Sequence, residues 1–264
     1  MKVRFAIFVL ITILLTPLSG YAEKSSPIDQ LDHLSDEALQ MVKTQRYEDA
    51  KNLLDYFSEQ FLTITSNDRP FTMDELRIVT VAHNDAMEAA TSANMDYQER
   101  INRVTKFRLV MDAISSTHQP LWAEMENSIM TVFGEVKEAA YRGNNQLFHE
   151  QFNSFLSLYE VIYPSLKIDV AVEQIQKLDA KINYIDHYRP QVLAEVASQK
   201  QLEELEADLQ TIFDEMTEDE ADPSLWWVII STGSIIILTL SYVGWRKYRG
   251  DREKQRNRSR QFKE

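Results

Sequence analysis

The sequence predicts an all-α fold: antiparallel helical hairpins, arranged as an irregular bundle or a short solenoid, followed by one C-terminal transmembrane helix. Three observations carry this. Between residues 23 and 224 the only glycines are Gly134 and Gly143, too few for the turns of hairpin-rich β architectures. Apolar residues in the same region recur at three- and four-residue spacing. Finally, Leu225–Trp245 runs 21 residues without a charge and then meets Arg246, Lys247 and Arg249.

The chain opens on MKVRFAIFVLITILLTPLSGYA, with Lys2 and Arg4 ahead of the apolar run Phe5–Leu15. Residues 1–22 read as a signal peptide cleaved after Ala22, with an uncleaved anchor as the alternative; the apolar run is short for a span. Residues 23–216 then form an extracytoplasmic helical domain. Pro27 suits a first helical position, and 28–44 carries Leu31, Leu34, Ala38, Leu39 and Val42 on one face. After Thr44–Arg46, a second helix carries Tyr47, Ala50, Leu53, Leu54, Phe57 and Phe61, which makes a helical hairpin.

Thr72-Met73-Asp74-Glu75 is a capping box that starts a helix through about Thr91. Asn94–Ser116 is the next. Pro120 opens another, with Trp122, Ile129, Phe133 and Val136, which stops at Gly143. Gln146–Tyr163 carries Phe148, Phe152, Phe155 and Tyr159 and is expected to end before Pro164. Ile168–Tyr184 forms a shorter helix, and a long one follows Pro190 to about Met216.

A shift of 102 residues lays Ala50, Leu53, Leu54, Phe57 and Phe61 over Phe152, Phe155, Leu156, Tyr159 and Tyr163. The first hairpin, with its Ala38, Tyr47, Ala50, Phe57 spacing, is similar to a tetratricopeptide-type unit, although no glycine stands in its turn and no proline closes it. Both a repeat-like solenoid and an irregular bundle fit this pattern. In the last helix Leu202, Leu205, Leu209, Ile212 and Met216 form a seam of about two heptads. It serves packing against its own domain or a weak membrane-proximal homo-dimer.

The stretch 203–222 holds ten acids and no base, and residues 217–224 read as an acidic hinge ended by Pro223. Leu225–Trp245 reaches roughly 30 Å as a helix, the thickness of the hydrocarbon core. Trp226 and Trp227 at one end, with Tyr242 and Trp245 at the other, suit the two interfaces. Arg246, Lys247 and Arg249 serve as the stop-transfer cluster. With no charge inside it, the span is an anchor in the lipid bilayer. The basic tail 246–264 is too polar to fold alone and gains about 1 kcal/mol per cation near anionic lipid headgroups.

Charge supplies the direction. Of 28 bases and 41 acids, the tail holds nine and three and the leader two and none. That leaves 17 bases and 38 acids in 23–224, a net of −21. An acidic domain with a basic tail places the tail in the cytoplasm by the positive-inside tendency. The acidic domain repels nucleic acid.

The absence of Cys excludes disulfides, thiolate nucleophiles and Cys-based metal sites. Among His33, His83, His118, His149 and His187 no pair falls at i+4, and no Ser sits in a nucleophile elbow. No catalytic residue, cofactor or metal is expected. An unknown protein partner outside the cytoplasm is the leading expectation. An envelope enzyme acting on wall glycan or peptide is one alternative, and a scaffold self-associating through 202–216 is another.

The signal-like MKVRFAIFVLITILL, the hairpin LSDEALQMVKTQRYEDAKNLLDYFSEQF and WWVIISTGSIIILTLSYVGWRKYR together resemble the sporulation protein YpjB family, over the whole chain. The resemblance implies a membrane protein of endospore-forming bacteria and a sporulation context. It brings no catalytic or binding residues with it.

Overall fold

The computed structural model describes residues 26–67, 70–116, 119–194, 196–217 and 223–261. The leader 1–22, most of the hinge 217–224 and His118 lie outside these residues. The described residues are all-α, with no strand among them. They fall into two compact units that divide between Glu206 and Ala207.

In the first unit α1 (Pro27–Lys43) begins on a capping box. Asp29 N–H donates to the Ser26 hydroxyl at 3.0 Å, and the Asp29 carboxylate accepts from Ser26 N–H at 2.7 Å. Helix α2 (Tyr47–Asn67) returns beside it. Helix α3 (Met73–Thr91) starts on the Thr72/Glu75 box, and α4 (Tyr97–Ser115) on Asp96, which accepts from Gln98 N–H. Neighbours pack in sequence, and α4 also packs on α1, so the four helices close into a ring. In a solenoid each hairpin touches only its neighbours. Here the two hairpins are such neighbours, joined through α2 with α3 and through α1 with α4 around one shared core.

Helix α4 is the shared element. Val104, Phe107, Val110 and Met111 belong to the core of the ring, together with Leu31, Ala38, Ala50, Leu54, Phe57, Val79 and Ala86. A second hairpin, α5 (Glu126–Tyr141) and α6 (Asn145–Asp169), packs through α6 onto α4. A 3-10 turn, Leu121–Met125, links α4 to α5. Both hairpins turn through a left-handed residue, Gln45 (φ 60°) and Gly143 (φ 65°). Each carries the paired Schellman bonds: Arg46 to Met41 and Gln45 to Val42 in one, Asn144 to Ala139 and Gly143 to Ala140 in the other. This shared closure is the structural content of the likeness between the two hairpins.

Helix α6 does not end before Pro164 but runs on to Asp169. Proline inside a helix removes one intrahelical bond and crowds the preceding turn, at about 3 kcal/mol. The added turn buries Ser165 and Leu166 and packs Ile168 onto the ring core, and those contacts outweigh the local loss. The next helix therefore starts later, as α7 (Val172–His187), and α8 (Arg189–Ala194) holds Pro190 in its first turn. Helix α9 (Val196–Thr217) lies along α5 and α7 in its first half. There Tyr141 donates to Glu203 at 3.1 Å, Lys137 pairs with Glu206, and Lys181 donates to the Glu204 carbonyl at 3.2 Å. Leu202 and Leu205, the first two residues of the heptad seam, are fully buried.

The second unit contains α10 (Pro223–Gln261), 39 residues in one helix. Val228–Gly250 is long and apolar enough to cross a membrane, and none of it is buried. The helix does not stop at the end of the apolar stretch but continues through the tail to Gln261, which therefore does not remain unfolded. Arg, Lys, Glu and Gln are good helix formers, and extending an existing helix avoids the cost of nucleation. At about 1.5 Å per residue the whole helix is roughly 58 Å long.

Candidate functional site

The residues singled out for the hairpin cores are internal packing. Ala38, Ala50, Leu54 and Phe57 are buried in the ring, and Tyr47 is half-buried with the Arg100 guanidinium 4.6 Å above its ring. Phe152, Phe155 and Tyr159 are buried along α6. Phe155 meets Phe133 of α5 at 4.9 Å, and Arg189 caps the Phe152 ring at 4.8 Å. The two clusters belong to different hairpins and do not form a common surface. Tyr242 and Trp245 on α10 are exposed, as are Arg246, Lys247 and Arg249, with the Arg249 guanidinium 5.3 Å over the Trp245 ring. Trp226 and Trp227 lie in the backbone of α10, and their side chains are outside the described residues.

The histidines stay apart. His33 pairs with Glu37 at 3.6 Å, and His149 faces Arg189 at 3.3 Å. His83 is buried, with Nε2 2.9 Å from the Leu54 carbonyl and 3.3 Å from the Ser58 hydroxyl. Among the described residues no group of three His, Asp or Glu is arranged to hold a metal.

What the surface does offer is a groove of about 380 Å³ between α3, α4 and α6, a volume typical of ligand clefts. Helix α3 supplies Arg77, Ile78, Val81, Ala82 and Asp85 at one-turn spacing, α4 supplies Lys106, and α6 supplies Tyr163, Pro164 and Lys167. Val81 is 57% exposed there, an apolar side chain left on the outer face of α3. Lys106 is neutralised in place by Asp85 at 3.3 Å and Glu160 at 3.2 Å. Lys167 lies 5.4 Å over the Tyr163 ring, and no acid pairs with it among the described residues. Tyr163 in turn is held by Asp179 of α7, to which it donates at 2.7 Å while Tyr159 donates to the other oxygen at 3.1 Å. Burial and then the Asp179 carboxylate push the Tyr163 hydroxyl up to about 12, so it stays a donor. Of these groove residues the sequence pattern marks only Tyr163, in the hairpin register, and Pro164, as an expected helix end. A further signal was available in Val81, off the core stripe of α3.

The 3-10 turn is pinned by two carboxylates. Leu121 N–H donates to Asp112 at 2.6 Å, and the Trp122 indole N–H donates to Asp169 at 2.6 Å. Arg108 supplies the nearby positive charge, pairing with Asp32, with Asp36 at 3.4 Å and with Asp112 at 3.7 Å. Burial raises the Asp169 carboxyl to about 6, with Asp112 adding to the rise and the Trp122 donor opposing it. Burial likewise raises Asp112, with Glu124 adding and Arg108 and the Leu121 N–H opposing. The folded chain thus binds more protons at Asp169 than the unfolded chain between the ordinary carboxylate range and about pH 6. Stability should fall as pH rises through that window and level off above it. Asp169→Asn keeps a carbonyl acceptor for Trp122 and should raise the melting temperature at pH 7.5 by roughly 3 °C or more, flattening the slope. Thermal scans of both proteins from pH 4.5 to 7.5 test this, and an unchanged slope in the variant would refute it.

The family profile for sporulation protein YpjB (SpoYpjB) matches residues 28–257, which takes in the ring, the groove and most of α10. The chain belongs to the sporulation protein YpjB family. It is also 35% identical over 260 residues to the Bacillus subtilis (strain 168) protein named "Uncharacterized protein YpjB", covering 98% of each chain. No solved structure matches it. In YpjB family terms, the matched region starts one residue into α1 and ends inside the helical tail, so the apolar helix and the groove-bearing bundle both lie within it.

Proposed function

We propose that this YpjB family member is a single-pass membrane protein whose bundle lies outside the cytoplasm and binds another protein during sporulation. The observation that carries the reading is the α3/α4/α6 groove, an open cleft with an exposed apolar wall and cations on an otherwise acidic domain. Support for the orientation comes from charge: the region before α10 nets −21, and the residues after the apolar stretch are basic. On this reading α10 is a tether, with its tail on the cytoplasmic side near anionic headgroups. Self-association through 202–216 fits less well, because Leu202 and Leu205 are buried already.

The test is a photo-crosslinking amino acid placed at Val81 in the full chain, in sporulating cells, with Leu62 as an exposed control. A discrete adduct from the Val81 position alone is expected, and added protease should digest the bundle of intact protoplasts while sparing the tail. Equal crosslinking at both positions, or a protected bundle, would overturn the proposal.

A further inference from the structure

The groove's own chemistry says what kind of segment it takes, an inference that rests on the protein-binding reading above. Its floor is apolar: Ile78, Val81 and Ala82 face Pro164 across the cleft. Its own acid, Asp85, pairs with Lys106 and leaves two other cations to the groove. Arg77 reaches only the exposed Asp74, at 3.8 Å, and Lys167 has just the Tyr163 ring beneath it. On a domain netting −21, cations beside an apolar floor are the exception, and such a patch is complementary to an acidic occupant. The rest of the surface repels an extended polyanion such as nucleic acid, so the occupant has to be short.

Pro164 adds the third feature. It has no N–H to give the Glu160 carbonyl, one turn earlier on the same side of α6. Its pyrrolidine ring, which stands against that carbonyl, adds instead to the apolar surface of the groove. The volume of about 380 Å³ admits one or two side chains rather than the face of a helix. We propose that the α3/α4/α6 groove binds a short acidic peptide segment of a partner protein. One apolar side chain rests on Val81 and Pro164, and a carboxylate meets Lys167 and Arg77.

The experiment uses the full chain in lipid nanodiscs and a fluorescein-labelled hexapeptide of alternating glutamate and leucine, read by anisotropy. Its lysine/leucine and glutamate/glycine counterparts serve as competitors. The glutamate/leucine peptide should bind saturably, and neither counterpart should displace it at equal concentration. Lys167→Glu, an exposed change that leaves the melting curve in place, should weaken binding about tenfold or more, while Lys167→Arg should retain it. Absent binding, displacement by the lysine/leucine peptide, or a Lys167→Glu affinity within twofold of the parent would each overturn the proposal. A Val81 crosslink in cells together with a negative peptide result would remove the ligand chemistry and leave the protein-binding reading standing.

Discussion

Replacing Phe107 with alanine should destabilise the bundle by about 3–5 kcal/mol, a large part of what a domain of this kind has. Phe107 is fully buried on α4, the helix that serves both the ring and the second hairpin. Its ring stands edge-on to Phe57 at 4.8 Å and to His83 at 5.5 Å, while Phe57 stacks on His83 at 5.3 Å and on Phe61 at 5.6 Å. Truncation removes the centre of this cluster and opens a void beside a buried imidazole whose Nε2 is committed to the Leu54 carbonyl. Helices pinned from two sides cannot collapse readily into such a void, so the loss should fall at the upper end of the range. Chemical unfolding of the full chain in detergent, followed by circular dichroism, measures it. Phe107→Leu should cost less than about 1.5 kcal/mol, and an alanine effect equally small would mean that α4 is not the common core element.

That α4 is central was not readable in the chain. Its residues Arg100, Val104, Phe107, Leu109, Val110, Met111 and Asp112 are buried on more than one face, which erases the single apolar stripe that marks an ordinary surface helix. Helices with one buried face were legible: the Thr72/Glu75 capping box, the Leu31–Val42 stripe and the Gly143 turn all stand where local rules put them. Pro164 was misjudged because its penalty is local, whereas the burial of Leu166 and the Trp122–Asp169 bond that offset it come from distant parts of the chain. The tail, too polar to fold alone, is helical as the continuation of the apolar helix that nucleates it, which composition by itself does not record. Ring closure depends on α1 meeting α4, a contact between helices more than fifty residues apart that no periodicity records. The groove is harder still to read, since Arg77, Lys106 and Lys167 come from three helices and share no motif.

Arg100→Ala should rival the Phe107 loss, at about 3–5 kcal/mol, for an electrostatic reason. A helix end leaves its last carbonyls without partners and carries the negative end of the helix dipole. Here Arg100, only 5% exposed, reaches back from α4 and donates to two such acceptors, the Ala89 carbonyl inside α3 and the Ser92 carbonyl at its cap (2.6 Å), and to the Met95 carbonyl of the connection at 3.1 Å. Its guanidinium also covers the Tyr47 ring at the start of α2, and one turn earlier Tyr97 donates to the Lys43 carbonyl at the end of α1, at 3.0 Å. The first turn of α4 therefore ties the ends of the other three helices and closes the ring there. Alanine strands the carbonyl of the fully buried Ala89 and releases the connection that follows it, where Ser92 and Met95 are only half-buried. Lysine separates the two contributions: it restores a positive charge without the planar fork, so Arg100→Lys should recover less than half of the loss. Urea unfolding of the three proteins, with hydrogen exchange at 89–96, decides the matter. If lysine matches arginine, charge alone holds the corner; if alanine matches both, the ring is closed by its apolar core and not by this residue.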